Sequence, residues 1–127
     1  MSSTQLRERI AALRADAREV GELLAQQASS MTSEELFEVT GELQGVQNCA
    51  EGAQLVAAAH AASYETRLTE RGPVEVHHQV GFIDAMAGTE VSLATGVGQW
   101  VAGRRVSLGA ALSERFPLLL GKVLAGE

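Results

Sequence analysis

The sequence predicts an all-α fold in which a long helical hairpin is followed by a bundle of about three shorter helices. Alanine and leucine dominate the composition, and both favour helix. Residues 32–71 contain no proline. Apolar residues recur every three or four positions along most of the chain, as on one face of a helix. With 127 residues, this predicts a single helical domain, in which residues 1–72 form the long hairpin and residues 73–127 a helix-turn-helix-like group.

A first helix is predicted from about Thr4 to Ala28. Its larger apolar residues follow a 4-3-4-3-4 spacing, which is the heptad pattern of a helix that packs along another helix. Because there are only three heptads, an antiparallel hairpin with the next helix is favoured over a free coiled coil. The heptad residues, called the heptad seam below, are Leu6, Ile10, Leu13, Ala17, Val20 and Leu24.

The second predicted helix is unusually long and runs from Thr32 to Arg71. Thr32 and Glu35 have the spacing of a capping box, in which the threonine hydroxyl and the glutamate side chain satisfy each other's backbone amides. Gly72 and Pro73 are expected to end the helix, since proline lacks an amide donor and disfavours helix in the residue before it.

A small residue stands at every fourth position along this helix, which would let another helix approach closely. The row predicts a helix-packing or interface surface. One of its members is the single cysteine of the chain, which we interpret as a small buried residue rather than a reactive thiol; one cysteine also indicates a reducing, cytoplasmic location. The predicted interface residues are Gly41, Gly45, Cys49 and Ala53, and the row continues to Ala57 and Ala61.

The C-terminal group is predicted to contain a third helix from near Glu75 to about Ala94 and a fourth that follows Gly98 and ends near Phe116. Pro117 breaks or restarts the helix, and a strongly apolar last segment follows. The inward-facing residues of the fourth helix are expected to be Val97, Val101, Leu108, Leu112 and Phe116.

The segment around Gly96 resembles a helix-turn-helix. It has a small residue (Ser92) one turn before the bend, a glycine (Gly96) at the bend and an apolar residue (Val97) after it. The helix that follows would present side chains able to reach base edges and phosphates. The alternative is an ordinary all-α turn whose arginines are simply solvated. The candidate nucleic-acid-binding residues are Gln99, Trp100, Arg104 and Arg105.

The charge distribution restricts where DNA could bind. The net charge is −6, and residues 31–60 carry five glutamates without a lysine or arginine. A protein that bound DNA through bulk positive charge would not be acidic, so any contact is expected to lie in the C-terminal third.

Motifs for catalysis, cofactors and metals are missing from the sequence. The glycines near residue 96 lack the strand context and the lysine of a phosphate-binding loop, and there is no Gly-x-Ser-x-Gly elbow. His77 and His78 are adjacent, so on a helix their side chains would point in different directions and could not share a metal well. His60 and Tyr64 are interpreted as amphipathic side chains at the edge of the core. We therefore predict no enzyme activity, no cofactor and no metal site. No apolar run approaches the roughly 20 residues that span a bilayer, so no membrane partner is expected.

Four segments in the C-terminal half stand out together: residues 90–97, 102–108, 112–117 and 124–127. In this order they resemble the helical N-terminal domain of the actinobacterial thirteen-E-twelve repeat proteins, over about residues 65–127. In that family this domain of unknown function commonly precedes an HNH nuclease domain. The resemblance implies a link to mobile elements and DNA. The nuclease segment has no counterpart here, so the chain is expected to be a short or truncated member or the N-terminal domain alone.

Two functions are consistent with the sequence. The first is a non-catalytic helical module that associates with DNA or is accessory to an HNH-type nuclease system, with DNA or a downstream nuclease domain as its partner. The alternative is a protein–protein interaction or homodimerisation module without nucleic-acid contact. The alternative depends on the length of the second helix, the small-residue row and the apolar segment from Leu118 to Leu124.

Overall fold

The computed structural model describes residues 2–127, which fold into five α-helices and one β-hairpin. The fold is mainly helical, so the helical part of the prediction is confirmed and the strictly all-α expectation is wrong. The elements in chain order are α1 (Ser3–Gln27), a short 3₁₀ turn (Ala28–Ser30), α2 (Ser33–Ala62), β1 (Tyr64–Thr69), β2 (Gly72–His77), α3 (Ala87–Thr95), α4 (Gln99–Arg115) and α5 (Pro117–Leu124).

The chain divides into two compact units, one ending at Glu42 and the other spanning Leu43–Glu127. In the first unit, α1 has nearly the predicted bounds. The predicted capping box at the start of α2 is also confirmed, because the Thr32 amide donates to Glu35 Oε2 at 3.2 Å and the Glu35 amide donates to Thr32 Oγ1 at 3.1 Å. This pairing satisfies two amides that the helix itself leaves free.

The heptad seam of α1 is exposed, contrary to expectation. None of the residues of α1 is buried, and Leu6, Ile10 and Leu13 are 52%, 55% and 67% exposed. Within residues 2–42, α1 therefore does not pack along α2 as the antiparallel hairpin that its heptads predict. The seam forms an apolar face on which another helix could pack, but no helix of this unit covers it.

The second predicted helix ends at Ala62 and does not reach Arg71. Residues 64–69 and 72–77 form an antiparallel hairpin in which Tyr64 pairs with His77 and Thr69 with Gly72. Gly72 does not stop a helix; with φ +106° it completes the tight turn between the strands, a conformation that favours glycine. The predicted division at residue 72 consequently coincides with the first residue of β2.

The predicted third helix from near Glu75 is also wrong over its first half. Its Val76–Val80–Ile83–Ala87 spacing matches a helix, but Val74 and Val76 alternate with polar residues and lie on β2. A loop follows, whose backbone is tied to the end of α2: the His78 amide donates to the Ser63 carbonyl at 2.9 Å and the Asp84 amide to the Ala62 carbonyl at 2.8 Å. The helix begins only at Ala87.

Most of the buried residues in the second unit are small. They lie where α4 and α5 pack against α2 and where α3 packs against α4. A Cβ added to Gly109 of α4 would overlap the carbonyl oxygen of Leu55, and one added to Gly52 would lie 2.8 Å from the carbonyl oxygen of Val123. Of the inward-facing residues predicted for α4, Leu112 is buried, whereas Val101, Leu108 and Phe116 are exposed. The buried apolar residues are Leu55, Ala58, Ala59, Ala62, Ala87, Ala102, Val106, Ala110 and Leu112.

Candidate nucleic-acid interface

The helix-turn-helix-like segment consists of α3, a three-residue turn and α4. Gly96 ends α3 with φ +77°, and its amide donates to the Ser92 carbonyl at 2.9 Å. The Ser92 hydroxyl then donates across the turn to the Val97 carbonyl at 2.7 Å. The sequence predicts a bend here from the same two residues. Close packing fixes the two helices, since a Cβ added to Gly88 of α3 would lie 3.4 Å from Gly103 Cα of α4.

The first turn of α4 carries backbone amides without a side-chain cap. Gly98 is the residue before the helix and has no side chain to accept a hydrogen bond from them. The amino end of a helix carries partial positive charge and free N–H groups, and both favour an anionic group. The 17-residue length of α4 makes this end a well-formed helix terminus.

Trp100 and Arg104 form an exposed pair one helical turn apart. The indole is 72% exposed, and the guanidinium carbon of Arg104 lies 4.9 Å from the ring centroid, within cation–π distance. Gln99 is exposed beside them. Three of the four predicted nucleic-acid-binding residues therefore lie together on the surface at the start of α4.

Arg105, the fourth predicted residue, faces α2 instead. Its Nη1 donates to Gln54 Oε1 at 2.9 Å, and its Nη2 lies 3.9 Å from Glu51 Oε1. Only 26% of its side chain is exposed. Arg105 therefore braces α4 against α2, and Glu51 compensates its charge. Arg104 forms no ion pair within the part of the chain that the structure describes.

An open cleft of about 810 Å³ lies between α2 and the exposed face of α4. Trp100 and Arg104 stand on one side, Glu51 on the other, and Leu55 and Leu108 contribute apolar surface. A planar group that stacks on the Trp100 indole would lie beside the uncompensated guanidinium of Arg104 and near the carboxylate of Glu51. The arrangement therefore favours stacking over charge as the source of affinity.

The predicted interface residues of α2 lie on a different face from its buried residues. In the second unit, Ala53 is exposed and so is Cys49, so the expected burial of Cys49 is wrong. A Cβ added to half-buried Gly45 would meet nothing within 4 Å. Gly126 approaches this row closely, because a Cβ there would lie 2.9 Å from Cys49 Sγ. Gly41, which belongs to the first unit, is exposed with open space around it. Their role as an interface stays a prediction.

A polar cluster on the β-hairpin was missed because the sequence was interpreted there as helix. His78 Nε2 lies 2.7 Å from Glu65 Oε2, and Arg67 donates to the same oxygen at 3.2 Å. The hydrogen bonds from Arg67 and then His78 hold the pKa of Glu65 below its usual value. His77 points to the other face of the strand and stacks on Tyr64, with ring centroids 4.2 Å apart. Strand alternation separates the two histidines more completely than the predicted helix would have done.

Comparisons of the chain with protein-family models, with curated proteins and with solved structures gave no match. The resemblance to the thirteen-E-twelve repeat proteins therefore depends on the residues themselves and stays a prediction. Among residues 2–127, no helix is long and apolar enough to cross a membrane, and no three histidine, cysteine or acidic side chains converge as metal ligands would.

Proposed function

We propose that the chain is a non-catalytic helical module that contacts nucleic acid through the amino end of α4, as an accessory to an HNH-type nuclease system. The observation that carries this proposal is the exposed pair of Trp100 and Arg104 at an uncapped helix terminus. An indole left in water forfeits the free energy that burial would give, so an exposed tryptophan with a cation on its face favours a binding role. The link to the nuclease system comes from the family resemblance of about residues 65–127.

Each group of the site has a specific role in this proposal. The indole of Trp100 stacks on an unpaired or accessible base, while Arg104 and the first amides of α4 contact a phosphate. Gln99 lies beside them and is able to hydrogen-bond a base edge. Arg105 has no direct contact with nucleic acid, because Glu51 and Gln54 already hold its guanidinium.

The fluorescence of Trp100 provides the test, because it is the single tryptophan of the chain and lies in the site itself. Titration with single-stranded and duplex oligonucleotides at low salt should quench this fluorescence and protect it from iodide. We expect dissociation constants on the order of 10–100 µM at about 50 mM salt, since one free arginine and one stacked base supply the contacts.

Two arginine variants distinguish a site contact from general electrostatics. Arg104→Ala should weaken binding about tenfold, the effect of losing one charge-assisted contact. Arg18→Ala is the matched control, because Arg18 is also an exposed helical arginine, paired with Glu22 on α1, and its loss should leave the affinity unchanged. An affinity no better than about millimolar at low salt, or equal losses in the two variants, would contradict the proposal.

A further inference from the structure

The geometry of α1 points to a second copy of this chain as the partner of the heptad seam, arranged antiparallel. This inference does not depend on nucleic-acid binding. The seam consists of Leu6, Ile10, Leu13, Ala17, Val20 and Leu24 along one side of a 25-residue helix. The four largest exposed members are Leu6, Ile10, Leu13 and Val20, at 52%, 55%, 67% and 43% exposure.

The helix is well formed although no residue on it is buried. At its start, the Ser2 amide donates to Gln5 Oε1 at 2.8 Å and the Gln5 amide donates to Ser2 Oγ at 3.2 Å, which completes a capping box. In water, most of the stability of such a helix comes from packing of its apolar face. A continuous apolar row this long therefore calls for a second helix of matching length.

The charges of α1 are divided between its two halves. The amino half carries three arginines and one glutamate, for a net charge of +2, while the carboxyl half carries three acidic residues and one arginine, for a net charge of −2. An antiparallel copy of the same helix places each half opposite its complement. The residues are Arg7, Glu8, Arg9 and Arg14, then Asp16, Arg18, Glu19 and Glu22.

The spacing of the seam also fits an antiparallel pair. When two copies are aligned head to tail, Leu6 lies opposite Leu24, Ile10 opposite Val20, and Leu13 opposite Ala17 of the second copy, so every seam residue has an apolar counterpart. The symmetry is that of a two-fold dimer, in which each contact occurs twice. The antiparallel pair brings Arg14 beside Arg14 and Asp16 beside Asp16 of the second copy, one contact of each sign near its centre. A parallel pair would instead place Arg9 beside Arg14 on both sides of the seam and each half of α1 beside the half of like net charge.

The mass of the full chain in solution tests the inference. Light scattering after gel filtration should give twice the 13.4 kDa of one chain at about 100 µM and fall toward one chain on dilution. Leu13→Glu should abolish the dimer, because it puts a charge into the centre of the seam. Ala15→Glu adds the same charge on the outer face of α1, two residues away, and should leave the mass unchanged.

A third variant tests the direction of the helices and does not disturb the seam. Arg9→Glu removes a cation that faces the acidic half of an antiparallel copy, so the dissociation constant of the dimer should rise about tenfold. In a parallel dimer the same change relieves the Arg9–Arg14 repulsion and would tighten association. A wild-type monomer at all concentrations, a dimer that survives Leu13→Glu, or tighter association of Arg9→Glu would each overturn the inference.

Discussion

Replacing Gly109 with alanine tests how closely α4 crosses α2. A methyl group at this position would overlap the carbonyl oxygen of Leu55, with the carbonyl carbon at 3.0 Å and Ala59 Cβ at 3.4 Å. The obstacle is backbone, which no side-chain rotation can move, so the two helices must separate. Overpacking of this kind costs about 1–3 kcal/mol, and the better helix propensity of alanine offsets about 0.5–1 kcal/mol of it. We expect Gly109→Ala to lower the free energy of unfolding by about 1–2 kcal/mol.

Urea unfolding followed by circular dichroism measures the effect. With a denaturant slope of about 2 kcal/mol/M, the middle of the usual range for urea, the midpoint should fall by roughly 0.5–1 M. Gly103→Ala is the matched control on the same helix, because a Cβ there would meet nothing within 4 Å. It should raise stability by about 0.5–1 kcal/mol through helix propensity alone. If Gly109→Ala is as stable as Gly103→Ala, the close crossing of α2 and α4 is wrong.

Two further perturbations give effects of predictable sign. Ser113 Oγ is buried without a hydrogen-bond partner among residues 2–127, whereas buried Ser63 donates to a helix carbonyl at 2.6 Å. Ser113→Ala should therefore raise the free energy of unfolding by about 1 kcal/mol, and Ser63→Ala should lower it by about 1 kcal/mol. Thermal unfolding measures both changes, and shifts of the same sign and size would contradict this. Because Arg67 and His78 lower the pKa of Glu65, its stabilising contribution is present above the usual carboxyl pKa of about 4.3 and is lost as pH falls through the lower folded value. As pH falls, the free energy of unfolding should decrease less steeply in Glu65→Gln than in the wild type. Identical pH profiles of stability would exclude the role assigned to Glu65.

Helices with strong local signals could be predicted from the sequence. The capping box of Thr32 and Glu35, the turn at Gly96 and the restart at Pro117 each depend on residues within one helical turn, and the structure has them where expected. The bounds of α1 and α4 also agree. Local chemistry sets these features, so distant residues do not change them.

The β-hairpin was missed because its apolar residues fit two periods at once. Val76 and Val80 are four residues apart, as on a helix, while Val74 and Val76 are two apart, as on a strand. Cross-strand pairing with residues 64–69 decides between them, and this pairing is a tertiary contact. The core was mispredicted for a related reason: large apolar residues were expected inside, but α4 approaches α2 through Gly109, a position with no apolar side chain.

The surface position of three candidate residues could be predicted from the sequence, but the electrostatics around them could not. Gln99, Trp100 and Arg104 lie on the surface as the helical pattern predicts. The partners of Arg105 are more than 50 residues away in the chain, and only the packed structure shows that Glu51 and Gln54 hold it. As a result, the site keeps one uncompensated cation where the sequence indicated two.

This compensation changes what kind of binding the site can support. A protein that binds through phosphate contacts loses affinity with salt in proportion to the contacts it makes, with a slope of about −0.9 for each phosphate on duplex DNA. Because Glu51 neutralises Arg105, one phosphate contact through Arg104 predicts a slope of about −1, or slightly less on single strands. In the proposed mode of binding, most of the affinity then comes from stacking on Trp100, which salt hardly changes. Strong quenching of Trp100 with a shallow salt slope supports this account, whereas a slope of about −4 or steeper would require cations elsewhere on the chain and contradict an interface limited to α4.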